Sequence, residues 1–306
     1  MSILSLILAL ALEQLRPISN RNPIYLMFVR IANNMARSLN AGEYRNGVYA
    51  WILAVVPLLV GAVGGYWAFT SLSVFAALAW NVAVLYLLMG FRQFSYAFTG
   101  ISKALQRDDL SSARELLGGW TGQSTSELRD NEVARLTIEQ GVIDSHRYVF
   151  GTIFWFVVLA PFAGPAGAVL YRAASLLQQK WGGHGDVFGR FADSAMDVLD
   201  FVPVRLAAVS FAIVGNFEDA VYCWREQAAQ WMDQDYGILL ASAAGALGIR
   251  LGEALHQDHT VKFRPELGVG SEASTEDLVS AVALVWRAAI LWLAVILLFS
   301  IAQWLS

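Results

Sequence analysis

Four long apolar runs set the hydrophobic pattern of this chain, and polar stretches separate them. The first, Val48 to Phe69, is about 22 residues without a charged side chain. At ~1.5 Å per helical residue that length covers a hydrocarbon core of about 30 Å. Tyr49 and Trp51 stand at one end and Tyr66 and Trp67 at the other, where amphipathic rings favour the headgroup level. Pro57 is placed to kink the helix, and Gly61 with Gly65 offers a small-xxx-small step. A second run, Ser71 to Phe91, follows at once; Thr70, Ser71 and Ser73 fit a tight turn, so the two predict a helical hairpin. The third starts near Val149, reaches Ala160, and is broken by Pro161-Phe-Ala-Gly164-Pro165-Ala-Gly167 before Ala168 to Leu177. Two prolines around two glycines fit either one kinked helix or a re-entrant pair. The last run, Val279 to Leu305, is apolar apart from Arg287, which can snorkel from near one end. Met1 to Leu12 is apolar but too short to span; it predicts a packed or half-inserted helix retained in the mature chain, since no basic residue precedes it.

Between these runs the pattern changes period. Residues 92–148 are polar and charged. Asp108-Asp109 ahead of Leu110, Ala113, Leu116 and Leu117 predicts an acidic helix start with a 3.6-residue stripe that ends at Gly118-Gly119. A second helix is expected from Ser126 to Leu136. The arginines of Glu13 to Gly47 (Arg16, Arg21, Arg30, Arg37, Arg45) contrast with a hairpin tip that has none, which orients both hairpin ends, and the 92–148 insert, to the cytoplasm. From Gln178 to Asp277 the signal weakens: Val198 to Gly215 and Tyr236 to Leu251 read as short membrane-associated helices, and His256 to Thr275 as polar loop. The fold class is therefore all-α, a polytopic helical membrane protein of a bacterial-type inner membrane. It has about four transmembrane helices, further short or re-entrant helices, and a polar helical insert at 92–148 within a single domain of 1–306.

Composition agrees. Of 306 residues 57% are hydrophobic and 15% charged, against about 25% charged in a soluble domain. A net charge of −4 does not point to nucleic acid. The single cysteine, Cys223, excludes an intramolecular disulfide and reads as a buried, inert thiol.

Catalytic motifs are scarce. The chain has no Walker A element, no H-E-x-x-H, no G-x-S-x-G and no G-x-G-x-x-G. His256, Asp258 and His259 read as solvated loop residues, and no metal site is expected from them. Asp200 and Arg205 lie in an apolar helix, where a charge facing lipid at the bilayer centre costs roughly 2.5–3.5 kcal/mol. Both are predicted to face protein, as a structural ion pair or cap or as a ligand site. Arg172 poses the same choice.

Several stretches, in order, resemble the CobD/CbiB family of membrane-embedded adenosylcobinamide-phosphate synthases. Asp109-Leu-Ser-Ser-Ala-Arg114 is similar to the family's D-L-x-x-A-R. Asn131-Glu-Val-Ala-Arg135-Leu-Thr-Ile-Glu139 is similar to its H-E-V-A-R-A-x-I-E. Ile153-Phe-Trp155, Gly164-Pro-Ala-Gly-Ala-Val-Leu-Tyr171-Arg172, Pro203-Val-Arg205-Leu, Ala243-Ala-Gly-Ala-Leu-Gly248-Ile-Arg-Leu-Gly252 and Arg264-Pro-Glu-Leu-Gly268 follow. The departures fall on acids. The N-terminal G-D-P and H-P-V elements are replaced by Leu15-Arg16-Pro17 and Asn22-Pro23-Ile24. An ungapped reading of E-N-x-x-D-G gives Ile143, Asp144, Arg147 and Tyr148, and Trp231-Met-Asp233-Gln-Asp235-Tyr236 stands where H-R-S-P-N would.

Arg147 to Trp155 and Val198-Leu-Asp200-Phe-Val-Pro203-Val-Arg205-Leu206 resemble the AmpE-like branch of the family, which is linked to β-lactamase induction and cell-wall status. That resemblance implies an inner-membrane regulator or sensor without useful synthase activity and without a cofactor. Its expected partners are the lipid bilayer, an anionic small molecule and a membrane or cell-wall signalling partner. The alternative is an amide ligase that uses ATP and Mg²⁺. The expected ligand-binding residues are Glu139, Asp144, Arg147, Arg172, Asp200 and Arg205.

Overall fold

A computed structural model describes residues 2–15, 23–183, 185–257 and 259–305. Arg16, Pro17 and Asn22 of the N-terminal elements, and His184 and Asp258, lie outside the described residues. The chain is overwhelmingly helical and includes helices long and apolar enough to cross a membrane: Tyr44–Leu72, Asp130–Ala163 and Asp277–Ala302. It is a membrane protein. Two compact units share the chain, Met1–Gln93 with Arg147–Phe201, and Phe94–His146 with Val202–Ser306.

The first unit contains α1 (Ser2–Leu15), α2 (Pro23–Leu39), α3 (Tyr44–Leu72) and α4 (Val74–Leu88), with α8 (Gly151–Ala163), α9 (Ala166–Trp181) and the start of α10 (Arg190–Val214). The expected hairpin is α3–α4. Ser73 is the extended residue between the helices, and its Oγ accepts from Ala76 N–H at 3.0 Å to cap α4. The second arm is shorter than the 71–91 expected, because the N–H of Met89 closes the last turn on Leu85 and the chain then leaves the helix. At ~1.5 Å per residue this arm is about 22 Å long. Of the two glycines in the small-residue step, only Gly65 is tightly approached, by the ring of Trp80; Gly61 has open space. Trp80 Nε1 donates to Ala62 O at 3.2 Å across the hairpin. The N-terminal α1 packs on α4 and α8 and buries Ser5, Leu6, Ala9 and Glu13.

The proline–glycine break resolves as a reversal. Gly164 takes φ +57, a left-handed value that glycine adopts without a Cβ clash, and α9 starts directly after Pro165. A Cβ on Gly167 would lie 1.9 Å from Trp155 O, and one on Gly151 2.1 Å from the Tyr171 ring. Going forward along α9 from Gly167 to Tyr171 therefore goes back along α8 from Trp155 to Gly151, and the pair is an antiparallel hairpin. Small residues permit the close approach on which helix packing in lipid relies. Around it, Trp181, Phe188, Leu177, Ala50 and Val55 form the core between α2, α3 and α9, and Trp181 Nε1 donates to Ala32 O at 3.2 Å.

The second unit holds α5 (Phe91–Leu105) beyond its first turn, α6 (Leu110–Thr121), α7 (Asp130–Ser145), the rest of α10, α11 (Phe217–Gln227), α12 (Gln234–Leu247) and α13 (Asp277–Leu305). Asp109 caps α6 as expected, taking Ser112 N–H at 3.0 Å. The helix runs through Gly118-Gly119 to a left-handed Gly122, since Gly118 packs against Thr125 instead of ending the turn. The next helix starts at Asp130, later than Ser126, because Glu132 accepts the N–H of Arg129 at 2.7 Å and fixes that end. Residues 146–150 then form a π-helical turn that carries α7 into α8. Cys223 is buried in α11; burial, reinforced by the charge of Asp219, pushes its thiol up to about 11, so it stays protonated and inert.

The segment expected to be helix to Leu251 and then polar loop contains strands. α12 ends at left-handed Gly248. β1 (Ile249–Gly252) pairs with β4 (Glu266–Gly268) antiparallel and with β5 (Ser271–Glu272) parallel, and β2 (Leu255–Gln257) with β3 (Thr260–Lys262) forms a hairpin. Strands of two to four residues are too short to show a period-two pattern in sequence.

The two glycine sites give a matched test. Gly167→Ala should lower the melting temperature of the detergent-solubilised protein by the equivalent of about 1–3 kcal/mol, as overpacking does. Gly61→Ala should leave it unchanged or raise it slightly. Equal effects at both positions would contradict the packing described.

Candidate functional site

The densest polar network lies in the second unit, where one face of α7 meets the β1–β2 turn. Glu132, Arg135 and Glu139 are three and four residues apart, so they line one side of the helix. All three are buried. Glu139 accepts from Gly252 N–H at 2.8 Å and from both terminal nitrogens of Arg264, at 2.7 and 3.1 Å. Arg264 also donates through Nη2 to Gly252 O at 2.6 Å and through Nε to Glu253 O at 3.1 Å, and it stands 5.4 Å from the Trp231 ring centroid. Arg135 pairs with the Glu253 carboxylate and donates to Ala254 O at 2.6 Å. Glu132 takes His256 Nδ1 at 2.7 Å and the His256 N–H at 3.2 Å.

These contacts hold an unfavourable backbone. Gly252 and Glu253 both have positive φ, +75 and +57, and Glu253 is not glycine. A left-handed non-glycine residue costs on the order of 1 kcal/mol and persists where surroundings over-determine it; such positions concentrate at functional sites. Here charged side chains bind successive peptide groups from Gly252 to Ala254.

The six residues expected from sequence divide between the units. In the second, Glu139 is central to the network. Asp144, one turn further along α7, accepts from Trp120 Nε1 and from Gln140 Nε2, each at 2.9 Å. Arg205 meets Asp235 at 3.2 Å. In the first unit, Asp200 is buried and takes the Tyr171 hydroxyl at 2.8 Å, while Trp155 Nε1 donates to Leu199 O beside it at 3.0 Å. Arg172 donates to Leu88 O, at the end of α4, at 3.1 Å and lies 4.0 Å over the Tyr148 ring; the Arg147 carbonyl is 3.4 Å from its Nη1. His256 and His259 go separately to Glu132 and Glu127.

Arg135, Arg264, Glu132, Trp231 and Gly252 stand in stretches compared with the family but were not among the expected ligand-binding residues. The spacing of Glu132, Arg135 and Glu139 was the available signal, since charges that share a helix face inside a membrane protein need partners. Arg264 carried no such mark.

Fold and site together define a helical membrane protein that keeps a buried arginine–carboxylate network against a strained turn. The chain belongs to the CobD/CbiB family: the family described as CobD/Cbib protein matches residues 6–285. It is 36% identical over 292 residues to the cobalamin biosynthesis protein CobD of Stutzerimonas stutzeri, which covers 92% of this chain and 93% of that one. The protein of the same name from Chromobacterium violaceum is 38% identical over 61% of this chain and 60% of its own. That from Mycobacterium tuberculosis is 30% identical over 84% of this chain and 83% of its own. No solved structure matches.

These relatives overturn the expectation of an AmpE-type inner-membrane regulator, because the similarity that runs almost end to end is to proteins named for cobalamin biosynthesis. That expectation weighed an ungapped alignment past Asp144, which set Arg147 and Tyr148 against an acid and a glycine of the family motif. Both residues lie in the π-helical turn His146–Phe150, beyond the end of α7.

A double-mutant cycle tests the network. Removing Arg264 alone (Arg264→Met) should cost about 3–5 kcal/mol, since it strands the Glu139 carboxylate in a buried place. Combining it with Glu139→Gln should cost less than the sum of the single changes. Additive losses in melting experiments would show that the pair is not coupled.

Proposed function

We propose that the protein is a multi-pass inner-membrane ligase of cobalamin biosynthesis, of the adenosylcobinamide-phosphate synthase type. It would join a corrinoid carboxylate to an aminopropanol-type amine as an amide. The observation that carries this reading is that separately matched stretches converge on one network: Glu139 from the α7 motif, Gly252 from the motif ending β1, and Arg264 from the Arg-Pro-Glu-Leu-Gly motif. Near-full-length similarity to named cobalamin biosynthesis proteins supports it.

Such a ligase would draw on ATP and Mg²⁺. The acids of α7 do not fit a Mg²⁺ site as they stand. A hard cation is held by several oxygen ligands gathered at one point. Among the described residues no three acidic, histidine or cysteine side chains come together to hold one, and Glu139 faces the Arg264 guanidinium instead. What the network supplies is a fixed turn at Gly252–Ala254, held by Arg135 and Arg264, each paired with a carboxylate.

Expression in a strain that lacks its own synthase and depends on a supplied corrinoid precursor decides the matter. Growth is expected to be restored, with the protein recovered in the inner-membrane fraction. Absence of growth despite normal accumulation in that fraction would sink the proposal.

A further inference from the structure

The charges around the β1–β2 turn balance in pairs, with one exception. Arg264 is matched by Glu139 and Arg135 by Glu253. Arg250, on β1 between buried Ile249 and Leu251, has only two longer ion pairs and no carboxylate at hydrogen-bond distance. Its Nη1 lies 3.6 Å from Glu253, already held by Arg135, and 3.8 Å from Glu266; both separations are beyond hydrogen-bond distance. Its Nε is buried and has no hydrogen-bond partner among the described residues. Arg135 also has an orphaned Nε, but its two terminal nitrogens are occupied. Arg250 alone of the three keeps its guanidinium donors unspent, and its side chain is 33% exposed, so solvent and solutes can reach it.

The neighbours leave room there. On β4 the residue in register with Arg250 is Gly268, which has no side chain, and on β5 it is Glu272, held by the Asn131 amide at 3.2 Å. Glu266 is 50% exposed and can swing away; Glu253 cannot, because Arg135 binds it. A planar guanidinium with free parallel N–H groups matches the paired oxygens of a phosphate or carboxylate.

We infer that Arg250 is the oxyanion anchor of this site, gripping a phosphate or carboxylate group of the substrate while Glu266 moves aside. The identity of the substrate rests on the synthase reading; the anion site does not. Lysine at this position would keep the charge and lose the fork.

Purified protein in detergent, at fixed ionic strength, is titrated with inorganic phosphate and separately with acetate, and the melting temperature is followed. One of the two should raise it saturably and thereby name the group. Arg250→Gln should weaken that response about tenfold or more, as loss of a charge-assisted hydrogen bond does, while its melting temperature without the anion stays near the starting value. Arg250→Lys should fall between. Glu266→Gln, which removes the competing carboxylate, should strengthen the response, so the inference can be judged even if Arg250→Gln fails to fold. A response unchanged by both Arg250→Gln and Glu266→Gln, or no response to either anion, overturns the inference. Anion binding that depends on Arg250 in a protein that does not restore growth would overturn the synthase reading and leave the anchor standing.

Discussion

The two-pronged pairing of Arg264 with Glu139 is the interaction on which the second unit's site depends. Both groups are largely withdrawn from water, at 21% and 6% side-chain exposure. Burying two charges costs several kcal/mol per ion unless hydrogen bonds use up their remaining capacity. Here they do: the carboxylate also accepts the Gly252 N–H, and the guanidinium also donates to the carbonyls of Gly252 and Glu253. The pair thus ties α7 to a turn more than a hundred residues away in sequence. With the turn fixed, β1 is fixed, and with β1 the positions of Arg250, β4 and β5 follow. A left-handed Glu253 is tolerable only inside such a clamp.

How much of this could be read from the chain follows from the range of each interaction. Elements set by local period were legible: the α3–α4 hairpin, the Asp109 cap and the interrupted third run all appear where the apolar pattern put them. The reversal at Gly164 was legible only as a break, because a hairpin and a kink differ in packing rather than in composition; Gly151 and Gly167 decide it through contacts with Tyr171 and Trp155. The second arm of the first hairpin came out shorter than its apolar run, since hydropathy does not mark where a helix stops inside protein. The strands between Ile249 and Glu272 were invisible to pattern, and they carry half the site.

Of the site itself, Glu139 was legible and Arg264 was not. An acid at the end of a matched helical stretch marks a position without saying which residue pairs with it. Asp200 and Arg205 show the same limit, for they find Tyr171 and Asp235, not partners that their spacing names. The regulatory reading failed for a related reason. It weighed losses at single acidic positions, Ile143 and Arg147, and two short matched stretches. Family membership, with similarity along almost the whole chain to cobalamin biosynthesis proteins, is the stronger constraint.

Hydrogen exchange of the detergent-solubilised protein carrying Arg264→Ala tests the central dependence most directly. The account predicts that amide protection collapses from Ile249 to His256, including the Gly252 N–H that Glu139 accepts, while α3, α4, α8 and α9 of the other unit keep theirs. Unchanged protection across Ile249–His256 would contradict the claim that the Arg264–Glu139 pair holds the turn.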